Sequence, residues 1–301
     1  MSLPFTVVDA FTDKPFGGNP AAVIILPSDH TYSDVTLQGI ALEFNLSETA
    51  FVSVGQYDSN PTDGNYVSYG LRWFTPAEEV VLCGHATVAA ATVLYANTDL
   101  VPENVNEIRF STLSGILMAR RVSGSSKIEL EFPVGNIVPV DESFSLKATD
   151  MIKKAANKQD LGVIFVGVCD VLPYKRYILI EVDSKVDLAS VSINANLLSA
   201  ENPTHPITVV TNQVSNEGGV GFNVRVFASL LGIQEDPVTG SASSFAAKYW
   251  ATKANVGPGQ VVKVRQVSAR GGDLDVIWEE QSGTAKIRGN ARVASRGELY
   301  L

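Results

Sequence analysis

The sequence has few cysteines, few histidines and no clustered positive charge. Its 301 residues include two cysteines, Cys83 and Cys169, and three histidines. Two thiols do not make a disulfide scaffold, and their scarcity suits a reducing cytosol, so a cytoplasmic chain is expected. The Cys/His spacings of structural zinc sites are missing. No Lys/Arg cluster occurs and the formal net charge is −9, so neither nucleic acid nor an anionic membrane surface is an expected partner. No apolar run is long enough to cross a bilayer. The start, Met1-Ser2-Leu3-Pro4-Phe5, lacks the basic residues and apolar core of a secretory leader. Low-complexity segments and charge blocks are absent too.

What is present is material for a large core. The chain is 45% hydrophobic and 18% charged, and its length fits one large or two ordinary domains. Short alternating or β-branched runs separated by Gly-rich turns predict more strands than helices. Ser33 to Phe44 reads as an amphipathic helix, with Leu37, Ile40, Ala41 and Phe44 on one face, Ser33 as N-cap and Asn45 as its end. Further helices are expected over Ser143 to Ala156, Leu188 to Ala200 and Ser243 to Ala251.

Three stretches carry possible chemistry. Cys83-Gly84-His85-Ala86-Thr87 lies between the strand-like Arg72-Trp73-Phe74-Thr75-Pro76 and an alanine-rich helical run. Backbone N–H groups at a helix start have no partner within the helix and favour an anion. The same turn would also serve as an ordinary strand-to-helix connection. Glu48, in Asn45-Leu46-Ser47-Glu48-Thr49, sits at a helix-to-strand junction with apolar neighbours on both sides. A carboxyl there would be partly desolvated and able to carry a proton near neutrality, although a solvated loop glutamate fits the local sequence as well. Asn19, in Phe16-Gly17-Gly18-Asn19-Pro20, reads as turn chemistry.

The chain also repeats itself weakly. Arg72-Trp73-Phe74 precedes Gly84-His85-Ala86 and then Ala90-Ala91; Arg225-Val226-Phe227 precedes Gly240-Ser241-Ala242 and then Ala246-Ala247. The pattern predicts two similar lobes, each with a tightly surrounded helix entered through a Gly-x-Ala turn. Two such helix starts facing one cleft would suit a small anionic metabolite; a duplicated scaffold without a working site would show the same pattern.

These motifs, with Val8-Asp9-Ala10-Phe11-Thr12, Pro15 to Val23, Asn45 to Phe51 and Glu235-Asp236-Pro237-Val238-Thr239-Gly240-Ser241-Ala242, occur in one order along most of the chain. In this the sequence resembles the PhzF-like (phenazine biosynthesis-like) proteins, relatives of diaminopimelate epimerase. The resemblance implies an α+β fold of two pseudo-symmetric lobes. Each lobe is an antiparallel sheet wrapped around a central helix, with the active site in the cleft between them. It implies an N-terminal lobe of residues 1–118 joined by a returning strand at 290–301, and a C-terminal lobe of residues 119–289.

It also implies roles. Glu48 corresponds to the general acid/base of the phenazine-pathway isomerase, which moves a proton between carbons of a cyclic dienyl amino acid. His85 and Asp236 are expected to hold the substrate's polar groups and steer that proton. Gly84, His85, Gly240 and Ser241 would present N–H groups to a carboxylate, and Asn19 and Ser47 would line the site. No metal or organic cofactor is called for, and a homodimer is the expected assembly. Two departures matter. The epimerases and proline racemases use a pair of cysteines, whereas Thr239 stands where the second would be, and a hydroxyl of ordinary acidity cannot replace a thiol base. Many family members have a histidine after Gly-Ser-Ala where this chain has Ser243, which leaves the substrate open. The competing readings are a Cys83-assisted epimerase or racemase, and a catalytically silent metabolite-binding or regulatory protein.

Overall fold

The computed structural model describes residues 2–29, 31–54, 65–216 and 219–301. The chain is α+β and sheet-dominated. It divides into two compact units: residues up to Glu131 together with Arg288–Leu301, and Phe132–Ile287. Among the described residues, no helix is long and apolar enough to cross a membrane.

The first unit opens with strand Ser2–Ala10, which pairs antiparallel with both Asn19–Leu26 and the C-terminal strand Ala291–Tyr300. Helix α1 (Asp34–Phe44) then carries the chain across to Glu48–Ser53, which lies parallel to Asn19–Leu26 with Ala21 opposite Glu48. The ends of α1 follow from its sequence. The Ser33 hydroxyl accepts from the Thr36 amide at 3.3 Å, and Asn45 closes the helix in the left-handed region at φ 48°. Strand Tyr66–Phe74 pairs antiparallel with Glu48–Ser53 and with the short Glu79–Val80. Helix α2 (Gly84–Tyr95) follows and leads to Glu107–Thr112, parallel to Tyr66–Phe74.

The second unit repeats this plan. Helix α3 (Glu142–Ala155) comes first and has no counterpart among the described residues of the first unit. Val163–Val168 pairs antiparallel with Tyr177–Val182; helix α4 (Ala195–Glu201) crosses to Ile207–Asn216, parallel to Tyr177–Val182. Gly219–Ala228 runs antiparallel to that strand and to the short Ile233–Asp236. Helix α5 (Gly240–Lys253) leads to Val261–Gln266, parallel to Gly219–Ala228. The order of antiparallel, parallel, antiparallel and parallel pairings is the same in both units, as two pseudo-symmetric lobes require.

α2 and α5 are the central helices. In α2, every residue from His85 to Ala91 is buried, and in α5 every residue from Ala242 to Ala247. Their many small side chains let strand backbone approach from several sides, so the helices need no polar face. Larger side chains fill the remaining space: Trp250 is fully buried, stacks on Phe222 with ring centroids 5.5 Å apart, and donates its indole N–H to Thr211 Oγ1 at 3.1 Å. Burial of one such ring contributes about 2–3 kcal/mol.

Over residues 188–200 the structure corrects the sequence reading. Helix α4 starts only at Ala195, because the Asn194 side chain accepts from the Asn196 amide at 3.1 Å and starts the helix there. Upstream, the Ser190 hydroxyl donates to Asp187 instead of leaving the backbone free to coil.

Candidate active site

Glu48 is the first residue of its strand rather than part of a loop, and its residue surface is only 9% exposed. His85, at 6%, is the second residue of α2. Their side chains meet: His85 Nε2 lies 3.1 Å from Glu48 Oε2. The contact has the distance of an ion pair but not the alignment of a hydrogen bond, and both atoms are buried without a hydrogen-bond partner. Leaving two such atoms unsatisfied is costly, commonly about 1–3 kcal/mol each.

On the other edge of the ring, Cys83 Sγ is 3.5 Å from His85 Nδ1. Burial opposes charge on this imidazole, but the neighbouring Cys83 and Glu48 outweigh it and hold His85 well above its ordinary value. Burial, with Glu48 beside it, pushes the Cys83 thiol up. Cys83 therefore holds its proton more tightly than a free thiol does. The donor atoms of Glu48, Cys83 and His85 all fall within 4.8 Å of one another. The three form one compact cluster of proton-carrying groups.

Asn19 is fully buried at the start of its strand, and the Ser47 hydroxyl donates to Asn19 Oδ1 at 3.4 Å. The turn before Asn19 depends on Gly18, whose φ is +73° and where a Cβ would sit 2.4 Å from the Ala10 carbonyl. Asn19, Ser47, Glu48, Gly84 and His85 thus share the first unit. Asp236, Gly240 and Ser241 belong to the second.

In the second unit, Thr239 is the N-cap residue of α5, as Cys83 is of α2, and neither side chain caps its helix. The Thr239 hydroxyl donates to Asp236 Oδ2 instead, just as the Cys83 sulfur is turned to His85. Side chains one turn further along behave alike too: Thr87 donates to the Cys83 carbonyl and Ser243 to the Thr239 carbonyl. Both helix starts therefore keep their first N–H groups free of side-chain caps. Ser241 Oγ lies 3.0 Å from Tyr177 Oη, and burial pushes the Tyr177 phenol up, so it stays protonated.

Gln266 was missed in the sequence. It is fully buried, accepts from the Thr239 amide at 2.8 Å, and donates to the Asp236 carbonyl and to Thr239 Oγ1. One amide therefore fixes the whole entry to α5. A signal existed: Val262, Val264 and Gln266 form the buried phase of an alternating strand, and a polar residue in that phase needs partners.

Comparisons with known proteins agree with this architecture. The model of the family described as PhzC-PhzF, phenazine biosynthesis-like protein, matches residues 8–297. A phenazine biosynthesis-like domain-containing protein of Rattus norvegicus is 37% identical over 310 residues, covering 99% of each chain. A protein of Halalkalibacterium halodurans named as an uncharacterized isomerase is 38% identical over 304 residues, covering 100% of each. The crystal structure of a PhzF-family phenazine biosynthesis protein of Enterococcus faecalis superposes with a TM-score of 0.80 at 31% identity, covering 100% of each chain. The paired lobes, the two uncapped central helices and these matches together make this chain a member of the PhzF-like, phenazine biosynthesis-like family.

Proposed function

We propose that the protein is a cofactor-independent isomerase of a small carboxylic or amino-acid-like metabolite, with Glu48 as the proton carrier. The contact between buried Glu48 and His85, with both facing atoms unsatisfied, carries this reading. Glu48 as carboxylate removes a proton from a substrate carbon; the C–H bond breaks and its electron pair spreads into the adjoining carboxylate or conjugated system. The same carboxyl returns the proton to a second carbon, so substrate and product have the same atoms. The His85 imidazolium, held charged by Glu48, meets the negative charge that builds on the substrate. Fixed donors of this kind are commonly worth about 3–4 kcal/mol each in the transition state.

In this proposal the substrate's carboxylate is received by the uncapped N–H groups at Gly84 and His85. Asn19 and Ser47 line the site. A neutral, buried Cys83 is a poor base, so the reading assigns no proton transfer to sulfur.

The test is solvent exchange. Small carboxylic acids with an acidic C–H are incubated with the protein in deuterium oxide and followed by proton NMR. Deuterium should enter a carbon position, and Glu48→Gln should slow that entry roughly 10²- to 10⁴-fold. Exchange at an unchanged rate in Glu48→Gln would overturn the mechanism.

A further inference from the structure

The C-terminal strand of the first unit leaves one edge open. Ala291–Tyr300 is ten residues long and pairs along its length with Ser2–Ala10; among the described residues no second strand is in register with it. Its outer edge presents backbone N–H and C=O groups that can pair with another strand. The strand ends in Tyr300 and Leu301, which are 80% and 51% exposed.

The second unit closes the same position differently. There Val163–Val168 takes the place of Ser2–Ala10, and the strand on its outer side is Val138–Pro139, two residues long and containing a proline. Shortness and proline both blunt an edge against pairing. One plan thus ends in a blunt edge in one unit and in a long, proline-free edge in the other.

Charges on an edge can keep strands apart, so their order decides between protection and pairing. Arg292 and Glu298 are exposed, and neither is in an ion pair among the described residues. When two copies of the strand lie antiparallel about a two-fold axis at Ser295, Arg292 stands opposite Glu298 on each side of the axis. Ala291 stands opposite Leu299 and Val293 opposite Gly297, so half-buried positions meet half-buried ones and exposed positions meet exposed ones. Moving the axis to Ala294 sets Arg292 against Arg296, and moving it to Arg296 sets that arginine against its own copy. Like charges directly opposite destabilise a strand pair. An axis at Gly297 joins Arg296 to Glu298 but leaves Ala291 and Arg292 outside the ladder. The register shift in the pairing with Ser2–Ala10 falls between Val293 and Ser295, beside the first axis. The regular stretches Ala291–Val293 and Gly297–Leu299 then meet each other.

We propose that the open edge of Ala291–Tyr300 joins two copies of this chain, strand to strand about a two-fold axis at Ser295, and that the two Arg292–Glu298 pairs fix the register. The proposal does not rest on the isomerase reading, and its test needs no turnover.

Sedimentation equilibrium of the intact protein across a dilution series reads its mass. The mass of two chains is expected, falling toward that of one on dilution. Arg292→Glu and Glu298→Arg each set like charges opposite one another on both sides of the axis, so each should weaken the dimer about tenfold or more. The double variant, in which the two charges exchange places, should return the affinity of the parent chain. Circular dichroism spectra matching the parent's separate lost association from lost folding, and either single variant suffices for the comparison. A single-chain mass at every concentration would overturn the shared edge. Unchanged affinity in a folded single variant, or a double variant as weak as the single ones, would overturn the Arg292–Glu298 register.

Discussion

The two units share a plan but use it differently at the same positions. In each, an arginine on the strand before the central helix grips a glutamate with both nitrogens. Arg72 Nε and Nη2 donate to Glu79 at 2.7 Å each, and Arg225 Nε and Nη2 donate to Glu235 at 2.7 and 2.8 Å. Each guanidinium also lies over the phenylalanine two residues on, Phe74 at 5.0 Å and Phe227 at 5.1 Å. The fork and ring pin the short strand that turns the chain toward the helix. Beyond that shared support the helix starts diverge. The first unit has Cys83 and His85 where the second has Thr239 and Ser241, and of these two helix starts it is that of α2 that brings an imidazole against a buried carboxylate. The frame is shared, and the imidazole–carboxylate contact belongs to the first unit.

The sharpest way to break that comparison is to disable each half in turn. Glu48→Gln keeps the shape of its side chain but cannot accept a proton, so it should lower turnover by roughly 10²- to 10⁴-fold. Asp236→Asn keeps an oxygen that accepts from the Thr239 hydroxyl and should cost less than about 10²-fold, through misplacement of the α5 start. Steady-state rates of both variants on any substrate found by solvent exchange decide the matter. Equal losses would remove the special place of Glu48 in the proposed chemistry.

Much of this was legible in the sequence, for local reasons. Ser33 and Asn45 mark the ends of α1 because both caps act through their own neighbours. The repeat of Arg-x-Phe and Gly-x-Ala reveals the duplication because its residues meet backbone constraints that few types satisfy. The apolar flanks of Glu48 left partial burial open beside a solvated loop position, and the structure buries it. The contact of Glu48 with His85 could not be read, since the two are brought together only when their separate elements pack. Nor could the strands Glu79–Val80 and Ile233–Asp236, which exist because an arginine several residues away holds their glutamates. The start of α4 was placed too early because Leu188 and Val191 look helical, yet their carbonyls serve Arg225 Nη1.

Those carbonyls set the second contrast. The Arg225 side chain is 9% exposed, with Glu235 and two carbonyls as acceptors; the Arg72 side chain is 34% exposed and shares itself between Glu79 and the exposed Asp34. Removing Arg225 leaves two carbonyls without a donor, and the partly exposed Glu235 with them. Arg225→Met should therefore destabilise by about 2–3 kcal/mol, and Arg72→Met by about 1 kcal/mol because water replaces its contacts. Urea titrations of the two variants measure the difference. Equal losses would show that the two forks support their helices equally and that burial does not set their worth.

The smallest effect separates the helix starts by pH. His85 is held above its ordinary value of 6.5 because its partners outweigh the penalty of burying charge. A group raised on folding binds its proton more tightly in the native state. Its contribution is fully present below about pH 6.5 and is lost as pH rises through the folded value. His205 is shifted the other way by burial, so its contribution is lost only as pH falls. The Cys83 thiol is raised above 9.0 and weakens the fold only as pH climbs past that range. Between pH 6.5 and 8.5 the decline in thermal stability should therefore follow His85. His85→Gln should flatten it, and Ser241→Ala, at the matching position of α5, should leave its slope as in the parent chain. A slope that survives in His85→Gln would show that the ring is neutral in the folded protein. The imidazolium would then be removed from the proposed chemistry.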